Sequence, residues 1–294
     1  MRDPQQQERR PPGSGDGVIF YAGCMVEAAG GGSVNQSGRT RRIEVRPFPA
    51  SRRLVTRALR AGRRIAPIHG LISVDVTEAR RRLAKERSDV SFTGFLVASV
   101  GRAAAAHPEV HAYRNWRGQR VLHRHVDIGV LVEVHTAEGS FPLAHLVRDA
   151  DVRDVDDISA EIRRVKNDPT SSPSGRLLGQ VTTAAARIPG AIPVFYRLVA
   201  RSVRVRRMAG TVAVTSVGMF AGGEGFGIGF PTVLSLSVLV GGLSERPRAT
   251  NGRVEVRDVV DLTVTVDHNI VDGAPAARFV ADLRRTIETT AVLQ

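Results

Sequence analysis

The run Thr263–Phe279, TVTVDHNIVDGAPAARF, governs how the rest of the chain is read. Its first half alternates with period two, so Leu262, Val264, Val266 and His268 share one face of a strand and Thr263, Thr265 and Asp267 the other. Its second half switches to helical spacing, with Ala276, Phe279, Val280, Leu283 and Ile287 on one side. Strand parity therefore predicts His268 at the end of a buried face. Asp272, in the turn before the helix, can accept helix N-terminal N–H groups or pair with an arginine. Gly273 can take a backbone conformation that other residues resist. A histidine in this position is either a packed structural residue or a base held ready for chemistry, and spacing alone leaves both open.

The surrounding texture is that of a mixed fold. Ser51–Ala61 reads as a helix with arginines opposite its apolar side, Ile68–Val76 as a strand, and the stretch after Thr77 as a helix that Thr77 can cap. Phe92–Ala106 reads as a helix stopped by His107-Pro108, Val126–Val134 as a central strand, and the stretch from Ile158 as another helix. Residues 176–209 read as two short helices carrying Arg197, Arg201, Arg204, Arg206 and Arg207. Thr211–Ser216, Val233–Val240 and Val259–Val266 read as strands. Without regular strand–helix–strand repeats, this pattern predicts an α+β domain with a mixed sheet.

Composition narrows the function classes. The 294 residues suffice for a real core, and 42% hydrophobic with 24% charged is ordinary. The net charge of +13 is not, and it is almost all arginine: the lysines are Lys85 and Lys166. Such charge is either a solvated surface or an attraction for anions. Aromatics make up 5%, and no basic helix is interleaved with them, which argues against nucleic-acid binding. Cys24 alone builds no internal disulfide or cysteine zinc site, and a reducing, cytoplasmic setting fits. No run is long and apolar enough to span a bilayer. The arginine-rich, apolar 176–209 segment also reads as a membrane-surface anchor. The Gly/Pro/Gln/Ser-rich residues 1–42 read as a disordered leader. GGEGFGIG (222–229) leads into Pro231 and a strand rather than opening a helix, unlike a phosphate-cradling loop. His123, His125, His135 and His145 lack metal-ligand spacing, so no metal is expected.

DHNIVDGAPAARF resembles the active-site signature of the dihydrolipoyl acyltransferases, the catalytic cores of 2-oxo-acid dehydrogenase complexes, whose fold chloramphenicol acetyltransferases share. SRRLVTRAL, ISVDVTEAR, SFTGFLVASVGRAAAAHPEV, VDIGVLVEVHTAEGSFPLAHLVRDAD and GTVAVTSVGMF follow in that family's order, so the resemblance covers about residues 43–290. It implies a chloramphenicol-acetyltransferase-like two-layer sandwich over 43–294, with 167–209 as a family-atypical helical insertion. It also implies an acyltransferase, with coenzyme A or acyl-CoA as substrate and a thiol acceptor. His268 matches the family's general base. Thr215 matches the serine whose hydroxyl stabilises the oxyanion, with Ser216 at the following asparagine. Asp272 matches the aspartate that holds the loop through an arginine, for which Arg52 is the match and Arg53 the neighbour. Asn269 stands where the family has arginine. His107 matches a structural position.

The resemblance also implies a homotrimer with active sites between subunits. The family's lipoyl and subunit-binding domains have no counterpart before residue 43, so the expected acceptor is a dihydrolipoyl group supplied in trans, or another small acceptor. The alternative is a catalytically idle core serving as scaffold or assembly subunit.

Overall fold

The structure, a computed structural model, describes residues 20–22, 56–57, 59–136, 139–173, 191–216, 223–230, 232–250 and 252–294. Arg52, Arg53, Cys24 and, apart from 20–22, the whole of 1–42 lie outside them, as do 174–190 within the expected insertion. The strands are β1 (Phe20–Ala22), β2 (Pro67–Asp75), β3 (Tyr113–Arg114), β4 (Arg120–Val121), β5 (Ile128–Thr136), β6 (Gly139–Val147), β7 (Val212–Ser216), β8 (Gly227–Gly229), β9 (Leu236–Thr250) and β10 (Arg253–Asp267). The helices are α1 (Thr77–Lys85), α2 (Phe92–Ala106), α3 (Val155–Asn167), α4 (Ala191–Arg201), α5 (Val203–Arg206) and α6 (Gly273–Glu288).

Six strands form one sheet in the order β2-β10-β9-β7-β5-β6. The β5–β7 and β7–β9 pairs are parallel, whereas β2–β10, β10–β9 and β5–β6 are antiparallel. The sheet is thus mixed, in an α+β domain, as the pattern of elements predicts. Val212 and Val214 of β7, Leu236 and Val238 of β9, and Val264 and Val266 of β10 point to one face and join a single core with Phe95, Ile158, Phe279, Leu283 and Ile287 of the helices. Burying each of the α6 anchors Phe279, Leu283 and Ile287 contributes about 1.5–3 kcal/mol, and all three are fully buried. Ser91 caps α2 by accepting the Gly94 N–H at 3.0 Å.

The opposite face carries a polar stretch along β2 and β10. His69 Nδ1 meets Thr265 Oγ1 at 2.8 Å, and Ser73 Oγ donates to Asp261 at 2.6 Å. Asp261 is 1% exposed, and its hydrogen-bond partners among the described residues are all donors: Ser73, Arg246 through two nitrogens, and the Gly225 N–H at 3.0 Å. Burial alone pushes this carboxyl upward, but the hydrogen bonds from Arg246, Ser73 and Gly225 outweigh it and hold it below the ordinary carboxylate range. Arg246 also reaches Glu224 at 3.0 Å, so the glycine-rich loop is fastened to β9 and β10. The loop fits because Gly242 lacks a side chain: a Cβ there would stand 2.1 Å from the Gly223 carbonyl oxygen. The loop ends in β8, which pairs with β1, and so opens no helix.

Local readings shift in three places. Thr77 does not cap α1; Val76 holds that position without a side-chain bond, and the Thr77 hydroxyl accepts the Asp258 N–H at 2.8 Å. β9 and β10 run on past the core as a long ribbon that alternates exposed and half-buried residues. Of 176–209, the described residues 191–209 carry α4 and α5, and Arg206 faces inward rather than joining a surface cluster.

Candidate active site

β10 delivers His268 one residue beyond its last strand residue, Asp267. The turn is built by backbone and by Asp267. His268 N–H donates to Ala66 O at 2.7 Å, Asp267 N–H to Ser235 O at 2.9 Å, and Val271 N–H to Asp267 O at 3.0 Å. Asp267 Oδ1 accepts the Asn269 N–H and side-chain amide at 3.0 and 2.8 Å, and the Ala66 N–H at 3.3 Å. Asn269 also donates to Arg64 O at 3.3 Å. The residue that replaces the family's arginine therefore joins the hydrogen-bonded frame of the turn. Asp267, which sequence reading passed over as an outward strand residue, is that frame's centre.

The His268 side chain is 48% exposed, and its Nδ1 lies 3.6 Å from Asp272 Oδ1. Parity predicts a buried face here, but pairing of β10 with β2 ends at Asp267–Pro67, so the next side chain leaves the sheet. Asp272 is 87% exposed. It occupies the N-cap position of α6 without a side-chain capping bond; its backbone carbonyl accepts the Ala276 N–H at 3.2 Å. Its carboxylate faces the imidazole instead. Gly273 has no positive φ, and a Cβ on it would meet nothing within 4 Å, so no conformational need for glycine exists at that position.

Thr215 lies on β7, half-buried, between Leu131 of β5 and Leu239 of β9. Val212 and Val214 take the core face, so Thr215 points to the opposite face and Ser216 to the core side, as parity predicts. Gly210, with φ of 82°, turns the chain into β7, where a Cβ would stand 2.7 Å from Asp127 O. Thr215 is level with Leu239 and, across it, with Thr263. From Thr263, β10 still has to run to Asp267 before His268 appears. Two strand spacings and that run place the Thr215 and Asp267 backbones roughly 16 Å apart. The two residues that the sequence singles out therefore do not meet within one chain.

Arg206 is the feature that sequence reading missed. It is fully buried near the His268 end of the sheet, donating to Val233 O at 2.7 Å, with its guanidinium 4.7 Å above the Tyr113 ring. Burial pushes its pKa down to about 10, against the pull of Tyr113 and Asp267, so the cation persists at neutral pH. Sequence distance from Tyr113 left no local signal for it. His107, by contrast, is structural as expected: Nε2 meets Asp282 Oδ2 at 2.6 Å, tying the end of α2 to α6. His145 is held in the same way, by Ser172 at 3.0 Å and Glu161 at 2.7 Å.

Comparison with known proteins places this geometry. The family model described as 2-oxoacid dehydrogenases acyltransferase (catalytic domain) matches residues 40–172 and 200–294. It leaves 173–199 unmatched, inside the segment read as an insertion. The chain is 24% identical over 229 residues to the lipoamide acyltransferase component of the branched-chain alpha-keto acid dehydrogenase complex of Bacillus subtilis, covering 74% of this chain and 46% of that one. It is 23% identical over 205 residues to the dihydrolipoyllysine-residue acetyltransferase component of the pyruvate dehydrogenase complex of Rickettsia bellii, covering 69% and 41%. The chain thus spans about half the length of these relatives or less. Among solved structures, the dihydrolipoamide acetyltransferase of Azotobacter vinelandii superposes with a TM-score of 0.62 at 18% identity, over 85% of this chain and 95% of that one. With the mixed sheet, the His-x-x-x-Asp-Gly turn and a family model matched on both sides of the insertion, the chain belongs to the 2-oxoacid dehydrogenase acyltransferase family, as a catalytic domain.

Proposed function

We propose that the protein transfers an acyl group between coenzyme A and a thiol acceptor, with His268 as general base and the Thr215 hydroxyl as oxyanion donor. The observation that carries this reading is the His268 turn. One nitrogen of the half-exposed ring faces Asp272, and Nε2 makes no hydrogen bond among the described residues. A carboxylate on Nδ1 favours the tautomer that leaves Nε2 free to accept a proton. Nε2 takes the thiol proton, the sulfur attacks the thioester carbonyl, and the tetrahedral oxyanion accepts a hydrogen bond from Thr215. Collapse expels the other thiolate, which recovers the proton from the imidazolium. A hydroxyl in that role typically accounts for about 10²–10³ in rate.

Thr215 and His268 stand apart within one chain, so a site that uses both draws them from two chains, which supports a homotrimer whose sites lie between subunits. Asp272 positions the imidazole. The Azotobacter vinelandii enzyme was probed at a serine, a histidine and an asparagine of its catalytic mechanism, the same pairing of hydroxyl and imidazole. The acceptor fits a dihydrolipoyl group presented by another protein, or a small free thiol.

Purified protein offered acetyl-CoA and other acyl-CoAs with free dihydrolipoamide tests the reading. Thiol acylation that His268→Ala abolishes supports it. Turnover left untouched by that substitution overturns the mechanism, and no turnover with any donor favours an idle core serving as scaffold.

A further inference from the structure

The acyltransferase reading leaves one surface unused. No aspartate or glutamate stands between Asp168 and Glu224, while arginines stand at 176, 187, 197, 201, 204, 206 and 207. In α4, Val199 turns inward, but Val194, Phe195 and Leu198 are exposed, and Val203 and Met208 extend the apolar surface through α5. Arg197 and Arg201 lie 5.6 and 5.7 Å from the ring centroid of the exposed Trp116, which joins the same patch. Arg204 and Arg207 are exposed beside it. Among the described residues no carboxylate pairs with any of these four arginines.

The patch thus offers large apolar side chains and unneutralised cations together. Identical copies facing each other across it would set arginine against arginine, which opposes self-association. A partner must supply negative charge at the rim and apolar matter beneath. The headgroup and acyl layers of an anionic bilayer supply both, and a tryptophan at the edge suits that boundary. No helix among the described residues is long and apolar enough to cross a membrane, so the contact would be peripheral. We propose that the α4–α5 surface docks the protein onto anionic phospholipid.

Cosedimentation of the full chain with vesicles of phosphatidylcholine alone, or of phosphatidylcholine with phosphatidylglycerol, tests this. The expected result is binding to the anionic vesicles alone, weakened by salt. Phe195→Asp with Leu198→Asp should lower partitioning more than tenfold, and each of Arg197→Gln and Arg204→Gln about fivefold. Acyl transfer in solution should be unchanged in all of them. Absence of binding to anionic vesicles overturns the proposal, as an acidic protein partner would predict. So does equal binding to neutral vesicles, or an apolar double variant that binds like the parent. A change in oligomer mass by light scattering in that variant would make the patch an interface between copies, and would overturn it as well.

Discussion

Asp261 and Asp272 stand on the same strand-and-turn unit and could hardly be used more differently. Asp261 is buried, surrounded by donors and held below the ordinary carboxylate range. Asp272 is almost fully exposed, caps nothing with its side chain and, among the described residues, faces the His268 imidazole; Arg52, its expected arginine, lies outside them. A carboxylate surrounded by donors holds a fold together. One left in solvent opposite a histidine contributes little stability and is free to serve chemistry.

The contrast can be broken from either side. The largest effect expected is on His268→Ala, which should lower kcat by about 10²–10⁴ with an unchanged urea midpoint; a matching loss of stability would place the imidazole with Asp261 instead. Asp261→Ala should cost about 1–3 kcal/mol of folding free energy, because it strips Ser73, Arg246 and the Gly225 N–H of their common acceptor, read as a lowered urea midpoint. The pH dependence has a definite sign. The folded pKa of Asp261 lies below the ordinary aspartate range, so its stabilisation is fully present above about pH 4. It drains away as pH falls through the depressed folded value, and acid titration of stability should be shallower in Asp261→Asn. Thr215→Ala should cost about 10²–10³ in kcat, with Thr215→Ser restoring most of it, while the urea midpoint stays put. The smallest effect belongs to Gly273→Ala. With open space at Cβ and no positive φ, it should be neutral or stabilising by about 0.4–1 kcal/mol; a marked loss of stability would show that the turn needs glycine after all.

What was legible in the sequence follows from the range of the interactions involved. Period-two alternation placed Thr215 and Ser216 on opposite faces, because parity is a property of neighbouring residues. The same alternation put His268 on a buried face and missed, because strand pairing stops at Asp267, and only the partner strand knows where pairing stops. Gly273 looked conformationally special because glycine often is, yet the structure asks nothing unusual of it. Arg206 reads locally as one more surface arginine, and its burial depends on Tyr113 and Val233, brought beside it only by folding. Asp261 carries no local signal at all, because its role depends on Ser73, Arg246 and Gly225, which only folding brings to it.

The register that sets Thr215 level with Thr263, and His268 beyond the far end of the same strand, has a consequence for mixtures of chains. If each working site borrows its hydroxyl from a neighbour, a His268→Ala chain still lends a sound Thr215, and a Thr215→Ala chain still owns a sound His268. Neither variant would work alone. Unfolded together and refolded as mixed trimers, each would repair the other wherever the right pair of edges meets, and activity would return from two inactive parents.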